Sequence, residues 1–152
     1  MDSIPSLLGL ALRAGRLAVG EEPVGAACRA HKAYLLLLAH DAADNTIRRA
    51  HHFCQAGNNT ILAVLPFTKA ELGGCLGRAS CAMLAVSDIG FAAAVADKLA
   101  KADPDTYGAA GEQLSQKAAR AKKRREEKRA QDKTQRTGKG PVPSREKKKR
   151  NT

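Results

Sequence analysis

From Tyr34 to Ala39 the chain passes through six apolar residues without interruption, Tyr-Leu-Leu-Leu-Leu-Ala. The run has strand length and no alternation. A half-exposed strand would carry a polar side chain at every second position, so a strand of this kind is buried on both faces. A fold built around it needs helices on each side of a sheet. Thr60–Leu65 and Cys81–Val86 read as two further strands, and Leu17–Val19 as a short extended piece.

Helical signals fill the spaces between them. Ser3 precedes an apolar-periodic run, Leu7, Leu8, Leu10, Ala11 and Ala14, which Gly15 ends. Gly20 opens a second helix, with Glu21 and Glu22 in its first turn and Pro23 near enough to the start to be tolerated. It is expected to run to about Ala30. Asp44 or Asn45 caps a third helix, through Phe53 to Gly57. Thr68 and Glu71 have capping-box spacing and start a short fourth helix to Leu76. Asp88 starts a fifth, with Phe91, Val95 and Leu99 four apart on one face. Strands alternating with helices imply crossover connections, and so an α/β sandwich with a mixed or parallel sheet.

Charge divides the chain in two. Glu112–Thr152 holds 16 Lys/Arg against 5 Asp/Glu, whereas Met1–Gly111 holds 10 of each. The whole net charge of +11 therefore belongs to a tail. Ala102–Gly111, with Pro104 and Gly108, reads as a linker. The expected organisation is a folded body over residues 1–103, then a linker and polybasic tail over 104–152. The tail has no aromatic residue, few apolar ones beyond Leu114 and Val142, and too little surface to bury on its own. Glu112–Gln131 suits a solvated helix, or one that forms only on RNA. Gly138–Pro143 cannot continue a helix. Neutralising phosphates releases counterions and favours binding without any sequence reading, so nucleic acid is the first partner to consider. Lys122, Lys123, Arg124, Arg125, Lys128 and Arg129, with Lys147, Lys148, Lys149 and Arg150, are the expected phosphate contacts.

Other chemistries find little support. No segment approaches the ~20 apolar residues that span a bilayer, and the N-terminus lacks a signal-peptide pattern. Cys28, Cys54, Cys75 and Cys81 have no paired spacing and read as reduced, mostly buried thiols of a cytoplasmic protein. His51, His52 and Cys54 could approach a metal from one helix, but a structural site wants a second pair of ligands, and none exists. Gly73–Arg78 has neither phosphate-loop order, and reads as a helix end and a tight turn. No Ser or Cys has an activated context, and nothing asks for a cofactor. The start of the second helix is the best candidate site. Its N–H groups suit a phosphate, and Glu21 and Glu22 can accept from a guanine edge. The plainer reading of the two carboxylates is that they complement the helix dipole.

The body from Leu7 to about Leu99 resembles the ribosomal protein L-seven-Ae / L-thirty-e superfamily, and within it the small bacterial kink-turn RNA-binding branch. The matching stretches are Leu7–Leu17, Gly20–Glu22, Ala33–Ala42, Asp44–Thr46, Glu71–Gly73 with Gly77–Arg78, and Leu84–Ala92, in family order. The resemblance implies a three-layer α-β-α sandwich. It implies binding to kinked RNA, where an internal bulge is flanked by sheared G·A pairs. It also implies a contact surface at Gly20, Glu21 and Glu22, at His40 and Asp41, and at Arg78, Ala79, Ser80 and Cys81. One departure stands out. Where the family's strong binders carry an Asn-Glu pair and then a Lys, this chain has Glu22, Pro23 and Ala26. Either the tail supplies the missing affinity or a different RNA is the target. The expectation is a non-catalytic, monomeric, ribosome-associated RNA-binding protein. The alternative is a protein-interaction module on the same fold.

Overall fold

A computed structural model describes residues 3–57 and 60–137. The chain order is α1 (Ile4–Arg13), β1 (Leu17–Val19), α2 (Glu21–Arg29), β2 (Leu35–Leu38), α3 (Asp44–Gly57), β3 (Ile61–Val64), α4 (Lys69–Leu76), β4 (Met83–Val86), α5 (Ile89–Ala102) and α6 (Pro104–Thr137). Three of the caps read from the sequence start their helices, whereas α3 already begins at Asp44, so neither Asp44 nor Asn45 is its cap. The Ser3 hydroxyl accepts the Ser6 N–H, Thr68 and Glu71 form the reciprocal capping box, and the Asp88 carboxylate accepts the Phe91 N–H at 2.9 Å.

The sheet has the order β1-β4-β2-β3 and is mixed: β4 is antiparallel to both β1 and β2, and β3 runs parallel to β2. Helices α2 and α3 cover one face, and α1, α4 and α5 the other, giving three layers. All four leucines of β2 are buried. Leu36 and Leu38 pack with Val24, Cys28, Ala50, Met83 and Ala85 beneath α2 and α3. Leu35 and Leu37, one residue out of phase, fill the opposite layer. That is why the run shows no alternation.

The linker reading is corrected. Residues 104–111 are the first turns of α6. The Asp103 carboxylate accepts from the Thr106 N–H at 3.4 Å and from its hydroxyl at 2.7 Å, and Pro104 follows as the first helical residue. An Asp cap with Pro behind it starts a helix as readily as it breaks a chain. The helix then packs. Leu114 is fully buried, and Gly111 is buried against Ala96 and Ala100. The compact unit therefore extends to Ala118. The second unit begins at Ala119 and continues the helix, with Lys122, Lys123, Arg124, Arg125, Lys128 and Arg129 all exposed. Gly138–Pro143 and the cluster Lys147–Arg150 lie outside the described residues. No described helix is long and apolar enough to cross a membrane.

Candidate nucleic-acid interface

Strand polarity brings separate loops to one end of the sheet. β1, β2 and β3 finish there and β4 begins there. Gly20 follows β1, His40 and Asp41 follow β2, Lys69 follows β3, and Arg78–Cys81 leads into β4. Hydrogen bonds tie these pieces together. The Gly20 N–H donates to the Met83 carbonyl at 3.0 Å, Ala39 N–H to Ala82 at 2.9 Å, His40 N–H to Phe67 at 2.7 Å, and Cys81 N–H to Lys69 at 2.9 Å. The Asp41 carboxylate accepts the Lys69 N–H at 2.8 Å, which uses this group to join two loops. The Arg78 N–H donates to the Gly73 carbonyl at 2.7 Å and closes the end of α4.

Gly20 is the N-cap of α2 with φ of +99°, a backbone state that side chains resist. It has no side chain to cap the helix. Pro23 has no N–H, so Glu21 and Glu22 carry the backbone donors at this helix start.

The two carboxylates part company. Glu21 turns toward α3, where it pairs with the Arg49 guanidinium and accepts the Thr46 hydroxyl at 3.3 Å. Glu22 is exposed, and its carboxylate has no hydrogen bond or ion pair among the described residues. His40, Asp41, Arg78, Ala79 and Ser80 are exposed too, while Cys81 is buried. The end of the sheet thus presents two carboxylates, Glu22 and the partly engaged Asp41, with one imidazole, one guanidinium and backbone donors around a small-residue turn. That set can accept from a base edge and donate to phosphate oxygens. Sequence reasoning missed Thr46 and Arg49 as partners of Glu21, and Lys69 as the partner of Asp41. No local pattern links residues 25 to 28 positions apart.

The other candidates are not assembled into sites. His51 and His52 are exposed and Cys54 is half-buried. Among the described residues no three His, Cys, Asp or Glu side chains gather to hold a metal. Burial pushes all four thiols up, Cys54 to about 11, so they stay protonated and weakly nucleophilic at neutral pH. A groove of about 480 Å³, lined by Pro5, Ser6, Gly9, Leu10, Arg13 and Cys75, contains none of the expected RNA-contact residues.

The chain is similar to known proteins. It is 36% identical over 90 residues to RNA-binding protein YlxQ of Bacillus subtilis (strain 168), a match covering 57% of this chain and 84% of that protein. A solved structure of a protein of unknown function from Bacillus halodurans superposes with a TM-score of 0.56 at 30% identity, covering 63% of this chain and 95% of that one. A family model matches residues 2–96, more than half of the chain, which therefore belongs to the ribosomal protein L7Ae/L30e/S12e/Gadd45 family.

Proposed function

We propose that this is a non-catalytic RNA-binding protein that docks a structured, kinked RNA at the end of the sheet formed by Gly20–Glu22, His40–Asp41 and Arg78–Ser80. Family membership, with an RNA-binding protein 36% identical to the chain, is the observation that carries this reading. The convergence of the three loops supports the location. Glu22 accepts from a guanine edge, and the Glu21 and Glu22 N–H groups with Arg78 hold the sugar-phosphate backbone. The exposed Lys and Arg side chains beyond Ala118 add sequence-independent phosphate contacts. The protein works as a monomer in the cytoplasm, on ribosomal RNA or another structured RNA at the ribosome.

The test is binding of the full chain to an RNA hairpin with an internal bulge flanked by G·A pairs, against the same hairpin without the bulge, at one salt concentration. Preference for the bulged hairpin is expected. Equal affinity for both removes kinked-RNA recognition and leaves the tail as a general RNA arm. A second reading, a protein-interaction module, is favoured by Glu22, Pro23 and Ala26, which leave α2 without the amide, the neighbouring carboxylate and the ammonium of the family's strong binders. Under that reading a protein ending at Ala118 binds no RNA at low salt, while under the first it still does.

A further inference from the structure

Helix α3 carries Asn45, Arg48, Arg49 and His52 three, four and seven positions apart, so they lie on one face, and all four are exposed. Asp44 is the only carboxylate in the helix. Helix α2 lies beside it and runs in the same direction: Glu21 meets Thr46 and Arg49, Gly25 meets Phe53, and Cys28 meets Gly57. The stripe therefore begins next to Glu21, at the docking end. It leads away along the molecule for about 10 Å, seven residues at ~1.5 Å each.

Two further observations sharpen its character. Arg29 folds back along α2, its guanidinium 3.2 Å from where a Cβ on Gly25 would stand, and adds a cation beside the α2–α3 seam. Among the described residues neither Arg29 nor Arg48 has a carboxylate partner, and Arg48 is hydrogen-bonded to the Asn45 side chain. Helix α2 contributes no cation of its own near its start: Glu22 is acidic, and Ala26, one turn on, is exposed and uncharged. A polyanion seated at Gly20–Glu22 meets positive charge across the seam, on α3.

We propose that the exposed face of α3 grips the phosphate backbone of the RNA strand leaving the docking end, through Arg48, Arg49 and His52. This rests on the RNA-binding reading above. Glu21 is then a positioning residue. Its carboxylate holds the Arg49 guanidinium in place, while the remaining donors of that fork point to solvent and phosphate. Arg49 has 63% of its side chain exposed, against 34% for Glu21, which suits that division of roles.

The experiment uses the full chain and the fluorescently labelled bulged hairpin, with affinity measured by anisotropy over a salt series. Arg48→Gln with Arg49→Gln should weaken binding about tenfold. It should also flatten the slope of log K against log salt by roughly 1.5, since each phosphate no longer neutralised takes about 0.7–0.9 from the slope. Arg48→Lys with Arg49→Lys keeps both charges and should keep the slope. Arg48→Gln alone, at an exposed side chain whose partner among the described residues is Asn45, should give about half the slope change with an unaltered melting temperature. If the wild-type chain binds and the glutamine variant has the same affinity and slope, the α3 surface is overturned and the RNA reading stands. If the lysine and glutamine pairs flatten the slope equally, charge is not what α3 supplies, and the proposal also falls. If the wild-type chain does not bind the hairpin, both readings fall together.

Discussion

A Cβ added to Gly73 would stand 2.6 Å from the Ser80 Cα and 2.7 Å from its nitrogen. Both neighbours are backbone, so neither can swing aside. Helix α4 and the Arg78–Ser80 turn are pressed together at this point, and the turn's place at this end of the sheet depends on a missing side chain. Gly73→Ala should cost about 1–3 kcal/mol, the usual range for overpacking. It should also lower the ratio of bulged to plain hairpin affinity, because the turn must move. Thermal melting and the affinity ratio are the two measurements. An unchanged ratio in a destabilised protein would place Arg78–Ser80 outside the contact surface.

Glu22 is the exposed carboxylate at the start of α2, and Glu21 the engaged one. Glu22→Ala should weaken bulged-hairpin binding by ten- to a hundredfold, since a hydrogen bond to a charged group contributes ~1.5–3 kcal/mol. Plain-duplex binding should not change. Ala26→Lys adds an ammonium one turn along and should raise the bulged-hairpin affinity. Both effects are read as a ratio at fixed salt.

Leu114 is fully buried in a segment that looks like linker and tail. Leu114→Ala should destabilise the protein by about 2–5 kcal/mol, as core leucine truncations do. A protein ending at Asp103 should melt well below one ending at Ala118, which should match the full chain. Equal melting temperatures for the two truncations would mean that the first turns of α6 contribute nothing to the core.

Removing residues 119–152 takes away the exposed cations of the second unit. General RNA affinity should fall, and the salt slope with it, in proportion to the phosphates no longer neutralised. The preference for the bulge should survive. An identical salt slope with and without these residues would show that they are not an RNA arm.

The thiols make a pH prediction. Burial, and then the neighbouring Cys28, push Cys54 up to about 11, whereas an unfolded thiol titrates near ~8.5. Below the unfolded value both states are protonated and the stability is full. As pH rises from there toward 11, the unfolded chain ionises first and stability is lost. The urea midpoint should be flat from pH 7 to 8 and fall above it. Cys54→Ala should reduce the fall. At pH 7.5 the native thiols should react with an aromatic disulfide far more slowly than the same chain in urea.

Most of the sandwich is legible in the chain because each element carries its own punctuation. Ser3, Thr68 and Asp88 are N-caps, and the unbroken leucines announce a strand with cover on both sides. The start of α6 is not, because Asp103-Pro104 serves equally as a break and as a cap. Tyr107, Gly111 and Leu114 also make a stripe too sparse to register as amphipathic. At the candidate site, Gly20 and the loop positions follow from the family pattern. The Glu21–Arg49 pair does not, since it depends on two helices lying side by side in three dimensions.

Tyr107 of α6 donates its hydroxyl to the carbonyl of Val64 on β3, the outer strand beside β2. β3 reaches its neighbour through Ile61 and Leu65, so the Val64 carbonyl faces outward, where an added strand would pair. During synthesis β3 is made long before Tyr107. A nascent chain halted between the two leaves that carbonyl without this donor, and the arrival of α6 supplies it. The helix that continues into the basic segment thus fills one acceptor on the outer edge of the sheet, a position where an added strand would otherwise pair.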